Sequence, residues 1–377
     1  MKRAYDLAIV GGGAIGLSIA WRSALGGLSV LVADDEPGRG ASWAAAGMLA
    51  PVTEVHPGEE DLLRLNLASA DRWPSWAEEL EAASGLAVGF RQTGTLLVAR
   101  DADDNAALGE VFALQKRFGL TTERLRSREC RKLEPALAPS VRGGIFVSGD
   151  HEVDNRALVA ALVAACEASG VAFTRDRVDE VSGDRLADGI VLCGGERIRA
   201  DRVVVAAGPW SNQIEGLARG VLPPVRPVKG QLLHLRARRH SRGPSHVVRG
   251  IDFYAVPRGD GRVVVGATVE EQGFDRTVTV GGVHALLRDA VEVVPDLAEM
   301  ELTEVTSGLR PATPDNAPAL GATSIPGLFA ATGHFRNGIL LTPITSDLMA
   351  ELLSSDRAPA QLTPFSPRRF EGERVAS

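Results

Sequence analysis

The chain has 377 residues, 45% of them hydrophobic and 24% charged, with a formal net charge of −7. That length exceeds the roughly 250–300 residues one hydrophobic core organises, so more than one domain is expected. The acidic balance speaks against a general nucleic-acid binder, and no stretch approaches the ~20 uninterrupted apolar residues of a membrane helix.

The first apolar run, Leu7-Ala8-Ile9-Val10, is too short for a helix and suits a buried strand. Gly11-Gly12-Gly13-Ala14-Ile15-Gly16 follows, then a small-residue helical stretch to Leu25 and a second strand, Val30-Leu31-Val32-Ala33, ending at Asp34. This is G-x-G-x-x-G between a strand and a helix, with an acid about 20 residues on, the dinucleotide-binding pattern. Gly11 serves the tight turn, Gly13 the approach of a pyrophosphate, and Gly16 the close packing of helix on strand. The helix start offers N–H groups and a positive dipole end to phosphate. Asp34 suits ribose hydroxyls and repels a 2′-phosphate, which leaves FAD or NAD and excludes NADP.

Residues 38–51, from Gly38 through Ser42, Ala46, Gly47 and Met48 to Pro51, are tiny and nearly uncharged. Such a segment suits either close approach of a flat group or a buried small-residue helix. Leu62–Leu80 reads as an amphipathic helix interrupted at Pro74, Thr93–Ala99 as a strand, and Ala106–Phe118 as a helix. A strand at Gly144–Val147, a buried helix at Ala157–Ala168, short strands over 171–193 and a buried strand from Arg202 to Gly208 follow. From Pro223 to Val269 the pattern alternates with period two, with a Gly-rich turn at Arg258–Arg262, which predicts an antiparallel sheet. Helices are predicted at Val283–Val293 and Ile339–Leu353, with a strand-to-turn at Gly327–Gly333 between them.

Cys130, Cys166 and Cys193 are widely spaced and contain no C-x-x-C, so they form neither a disulfide framework nor a metal site, and Cys166 reads as a core residue. Arg236, Arg238, Arg239, His240 and Arg242 adjoin Gly243-Pro244 and read as a solvated loop. Met1-Lys2-Arg3 faintly resembles a secretory leader, but Asp6 interrupts it and the next apolar run is a strand, so a cytoplasmic protein is expected.

The order of Gly11–Gly16, Ala44-Ala45-Ala46-Gly47-Met48-Leu49, Val204–Trp210, Pro227–Gln231, Tyr254–Arg258, Gly308-Leu309-Arg310-Pro311 and Gly333–Leu341 resembles the D-amino-acid-oxidase-type FAD family. The second and last segments are similar to the glycine oxidases of thiamine biosynthesis within it. The resemblance implies an α/β fold with a discontinuous Rossmann-like FAD domain (1–85, 145–222, 305–365), an inserted antiparallel-sheet substrate domain (86–144, 223–304) and a flexible tail over 366–377. It implies non-covalent FAD, since no cysteine precedes Thr313-Pro314-Asp315, and a homotetramer. Gly11, Gly13, Ala14, Ile15, Gly16 and Asp34 would hold the ADP half, with Val178, Ala206, Ala207 and Gly208 nearby. Ser42, Ala46, Gly47 and Met48 would line the flavin, and His334, Phe335, Arg336, Asn337, Gly338, Ile339 and Leu340 would close over it. Tyr254, Arg310, Arg336 and Met48 would face an amine or amino-acid substrate, with O₂ as acceptor and no metal.

The chemistry agrees with those residue types. A substrate whose handle is a carboxylate calls for a guanidinium fork, and Arg310 and Arg336 both stand in uncharged stretches. Tyr254 can donate its O–H to the same carboxylate. The flavin takes the hydride from the α-carbon, so no protein acid–base pair is required, and a helix beginning near Gly338 is expected to aim its dipole at the ring. Imine and hydrogen peroxide are the implied products. Val269 and Asp252 depart from the methionine and histidine of the glycine-oxidase pattern, so the amine preference stays open. A dehydrogenase that feeds a quinone and a silent flavin-binding subunit are the competing readings.

Overall fold

The computed structural model of the chain describes residues 4–183, 185–239 and 241–371. Met1-Lys2-Arg3, His240 of the basic cluster and residues 372–377 of the expected tail lie outside the described residues. The fold is mixed α/β, built on two eight-stranded sheets.

In the first sheet Ala4–Val10 lies parallel between Val30–Ala33 and Arg197–Val205. Ala172–Thr174 extends it in parallel on one side and Leu328–Thr332 on the other, with Ala319–Ala322 antiparallel at the edge. Strand side chains alternate between faces. Leu7, Ile9, Val30, Val32, Val204 and Phe329 pack into a core with the helices Ala14–Leu25, Glu60–Ser84, Asn155–Ala168 and Thr342–Ser355. Ala8, Val10, Leu31, Val203, Val205 and Leu328 pack the other way, against the meander of Val178–Ser182 and Gly189–Leu192. Burial on both faces explains the continuously apolar strands.

The helix expected to break at Pro74 runs unbroken from Glu60 to Ser84. Trp73 and Trp76 flank the proline, and Trp76 meets both Trp73 and Trp21 edge-on, at 5.4 and 5.6 Å between centroids. Burial of these rings outweighs the roughly 3 kcal/mol a helical proline costs. The last helix begins at Thr342, not Ile339, and a single 3-10 turn, Phe335–Asn337, precedes it. Residues 366–370, expected to fray, instead form a turn with Phe370 buried and Arg369 paired with Asp315 at 2.8 Å.

The second sheet runs in the order Glu301–Ala312, Arg226–Arg236, Arg262–Gly266, Tyr254–Pro257, Val247–Arg249, Thr95–Ala99, Gly143–Val147, Glu123–Arg126. All neighbours are antiparallel except Val247–Arg249 beside Thr95–Ala99. The boundaries expected at 144/145 and 304/305 fall inside Gly143–Val147 and Glu301–Ala312, both of which pair wholly within this sheet. One face carries Leu233, Leu235, Ala255, Val263 and Val265 against the helix Val280–Val293. The opposite face turns toward the first half of the molecule, with Leu232, Val256 and Val264 against Ala44 and Ala46. Register puts Arg310, Gly308, Gly230, Gly266, Tyr254 and Arg249 on that same face.

Candidate active site

A cavity of about 1540 Å³ runs between the C-terminal ends of the first sheet's parallel strands and the inner face of the second. Every residue predicted for the site lines it except Gly16. A Cβ at Gly16 would overlap the Gly11 carbonyl, so Gly16 closes helix onto strand and does not face the cavity. Gly11 has φ +106°, and a Cβ there would stand 2.5 Å from the Ala206 carbonyl oxygen. Gly13 differs. Its Cβ would meet only Ser42 Oγ, at 3.3 Å, so the protein's own packing leaves that room to a ligand.

Asp34 is held for this end of the cavity. Its Oδ2 accepts from Gly12 N–H at 2.6 Å and its Oδ1 from Glu36 N–H at 2.8 Å. Burial raises its pKa, against the two N–H donors that lower it. Ser42 Oγ accepts from Ala14 N–H at 2.9 Å and joins the first helix to the small-residue segment. That segment is a four-residue helix, Ala41–Ala44, followed by Met48–Leu49 paired with His151–Glu152. Its carbonyls are caught from below: Asn155 Nδ2 donates to Ser42 and Trp43, and Arg258 Nη2 to Ala46 at 2.7 Å. Glu152 balances the Arg258 charge at 2.7 Å. The tiny side chains expose backbone to the cavity while buried polar groups hold that backbone rigid.

Residues 334–340 form the facing wall. Ser69 Oγ and Trp73 Nε1 both donate to the Leu340 carbonyl, at 2.6 and 2.8 Å. Phe335 has φ +47°, a conformation costly for an aromatic residue and held by this wall. His334 is fully enclosed, near Thr345 Oγ1 at 3.2 Å, and burial pushes its pKa down to about 3. The Thr342–Ser355 helix starts four residues later than the expected Gly338, just after the lining residues Gly338 to Leu340.

The far end carries three half-buried arginines in different states. Arg336 pairs with Glu59 at 2.9 Å and lies 3.6 Å from Glu54. Arg249 pairs with Glu54 at 3.3 Å. Arg310 donates to two carbonyl oxygens, Thr268 at 3.1 Å and Lys229 at 3.4 Å, and hydrogen-bonds Tyr254, with no acid paired to it among the described residues. Its guanidinium lies flat over Gly230, and the Tyr254 ring lies over Gly266. Burial raises the Tyr254 pKa, opposed by the neighbouring Arg310, so the phenol keeps its proton. Arg310, Tyr254 and Met48, expected to face the substrate, line the cavity, and so does Arg336, expected as the second candidate for the carboxylate, which has two acidic neighbours. Sequence reasoning missed Glu54, His56 and Arg249 altogether. Arg249, a lone charge closing the apolar run Val247-Val248, was the available signal.

Residues 6–352 match the family of FAD dependent oxidoreductases known as DAO. The chain belongs to that family. It is 34% identical to a glycine oxidase of Geobacillus kaustophilus over 99% of both chains, and the crystal structure of glycine oxidase from that organism superposes with a TM-score of 0.90, covering 97% of this chain and 99% of that one. Iminodiacetate oxidase of Chelativorans sp. BNC1 superposes with a TM-score of 0.87 at 30% identity, covering 96% and 98%. A bifunctional protein ThiO/ThiG of Synechocystis is 36% identical over 98% of this chain, which spans only 55% of that relative. As a member of the family this protein is an FAD-dependent oxidoreductase, and the free space over Gly13 beside Asp34 fits the dinucleotide. Among the described residues no helix is long and apolar enough to cross a membrane.

Proposed function

We propose that the protein oxidises glycine and closely related small amines, such as sarcosine and small D-amino acids, to the imine, with O₂ as final acceptor. The observation that carries this reading is Arg310. It is a half-buried guanidinium that touches two carbonyls and the Tyr254 hydroxyl, with no acidic partner among the described residues. A cation so placed lacks a counter-charge, and a bound carboxylate supplies it. Tyr254 adds a neutral O–H donor beside it. The uncompensated charge of Arg310 disfavours an ammonium beside it, so a bound amine is kept neutral with its lone pair free.

FAD, when bound, supplies the hydride acceptor. Gly11, Gly13, Asp34, Val178 and Ala206 to Gly208 are the residues we assign to its adenine and phosphate half, together with Ser42, moved here from the flavin because its Oγ accepts from Ala14 N–H beside Gly13. Ala46 to Met48 and His334 to Leu340 are assigned to the ring. His334, with its pKa near 3, stays neutral and places no competing charge there. Cys130 and Cys166 are buried and Cys193 lies away from the cavity, which supports a non-covalent cofactor. The alliance of one relative with ThiG supports a place for the imine in thiazole assembly.

The test is peroxide release by the purified flavoprotein across glycine, sarcosine, D-alanine, D-proline and N-ethylglycine. Turnover of the smallest amines with peroxide is the expected result. Turnover only with a quinone-like acceptor overturns the oxidase reading in favour of a dehydrogenase, and no turnover by FAD-loaded protein overturns it outright.

A further inference from the structure

The substrate end of the cavity holds more positive charge than one carboxylate needs. Arg249, Arg310 and Arg336 all line it. Two carboxylates are built into the wall against them. Glu54 lines the cavity with its side chain only 10% exposed, 3.3 Å from Arg249 and 3.6 Å from Arg336. Glu59, behind the wall, takes the other side of Arg336 at 2.9 Å. The four groups sum to zero. Among the described residues at this end, Arg310 is left as the half-buried cation without an acidic partner. Arg276 lies at the rim on an exposed loop, and Asp252 is occupied by Arg100 at 3.1 Å.

Glu54 is not a loose surface acid. The two residues before it are tied down by Asp150, whose carboxylate accepts from Val52 N–H at 3.1 Å, Thr53 N–H at 2.8 Å and Thr53 Oγ1 at 2.6 Å. Arg249 Nη1 in turn donates to the Thr53 carbonyl at 2.9 Å. Register across the sheet sets Arg249 directly beside Tyr254, and Tyr254 feels Arg310, Glu54 and Arg249 together. The paired cluster therefore borders the space in which the far end of a substrate anchored on Arg310 would lie.

We propose that Glu54 is a specificity-determining residue that restricts the site to substrates with a single carboxylate, by cancelling the charge of Arg249 and part of that of Arg336. A second carboxylate entering the cavity would meet Glu54 directly, and could reach Arg249 only by breaking a half-buried pair. Removing the Glu54 charge while keeping its shape leaves Arg249 open to a dicarboxylate. The inference rests on the reading of Arg310 as the carboxylate anchor.

The experiment uses FAD-loaded enzyme and two unreactive five-carbon anions, pentanoate and glutarate, which differ only in the second carboxylate. Binding is read by calorimetry, so no turnover is needed. In Glu54→Gln the affinity for glutarate relative to pentanoate rises at least tenfold, and in Glu54→Gln/Arg249→Met it returns to within threefold of the unmodified ratio. An unchanged ratio in Glu54→Gln, or one raised equally in the double variant, overturns the proposal. If Glu54→Gln does not retain FAD, Arg249→Met decides alone: Glu54 then loses a partner, and glutarate must weaken at least fivefold more than pentanoate, an equal loss being refutation. A protein that shows this pattern but releases no peroxide from any amine refutes the proposed oxidase activity and leaves the charge gate standing.

Discussion

Replacing Gly230 by alanine is the most economical probe of the carboxylate anchor. Gly230 lies in the strand Arg226–Arg236 opposite Gly308, with backbone angles open to any residue. An added Cβ would stand 2.6 Å from both Nη atoms of Arg310 and 2.7 Å from its Cζ. Carbon contacts relax at about 3.5–4.0 Å, so something must move by about 1 Å. The strand is hydrogen-bonded on both sides, whereas the guanidinium is the end of a flexible side chain held by two carbonyls. The guanidinium yields.

The consequences separate cleanly. A two-point contact to a carboxylate tolerates little displacement, and a charge-assisted hydrogen bond is worth about 1.5–3 kcal/mol, so KM for glycine should rise by roughly ten- to a hundredfold. Stability should hold or improve, since alanine gives up about 0.5–1 kcal/mol less backbone entropy than glycine in a strand. Steady-state kinetics on FAD-loaded protein, with a urea midpoint alongside, measure both. An unchanged KM refutes the placement of Arg310, and a loss of several kcal/mol shows that the strand moved instead. Gly266→Ala is the contrast: its Cβ would meet the Tyr254 hydroxyl at 2.5 Å and its ring carbons at 2.6 Å, and a rigid ring moves only as a whole, so stability should fall as well.

Arg310→Ala should lower kcat/KM for glycine more than tenfold, with Arg310→Lys recovering only part and an amine without a carboxylate far less affected; equal losses for both substrates would make Arg310 structural. Asp34→Ala should weaken FAD by about 1.5–3 kcal/mol, read by equilibrium titration of apoprotein, and an unaltered affinity would remove Asp34 from the ribose. His334 has a folded pKa of about 3 against roughly 6.5 unfolded, so its contribution is present above pH 6.5 and is lost as pH falls toward 3. Urea midpoints from pH 7 to 4 should therefore drop less steeply for His334→Gln than for the parent, and parallel slopes would show that His334 is not held neutral.

The nucleotide end was legible because its requirements are local. A glycine spacing, an apolar run on either side and one acid dictate the turn, and the structure adds only that Gly16 does not face the cavity. The second sheet was legible as a sheet because period-two alternation belongs to one strand at a time. Its edges were misplaced at 144/145 and 304/305, because where a strand stops depends on the partner it pairs with. The unbroken Glu60–Ser84 helix was hidden for a related reason, since the cost of Pro74 is local and the tryptophan packing that repays it involves Trp21 from a distant segment.

The substrate end shows the limit most sharply. Arg310 and Arg336 look alike in the chain, each a lone cation among apolar and small neighbours. What separates them is Glu54 and Glu59, 282 and 277 residues away from Arg336 in sequence and 2.9–3.6 Å away in space. An arginine whose charge is already met stabilises a wall; one whose charge is unmet has an affinity left to spend on a ligand. That difference is a sum over neighbours and cannot be read from the arginine itself. It is the ground for proposing Arg310 as the anchor, and under that proposal the acids around the other two arginines are as much a part of substrate choice as the arginine that binds.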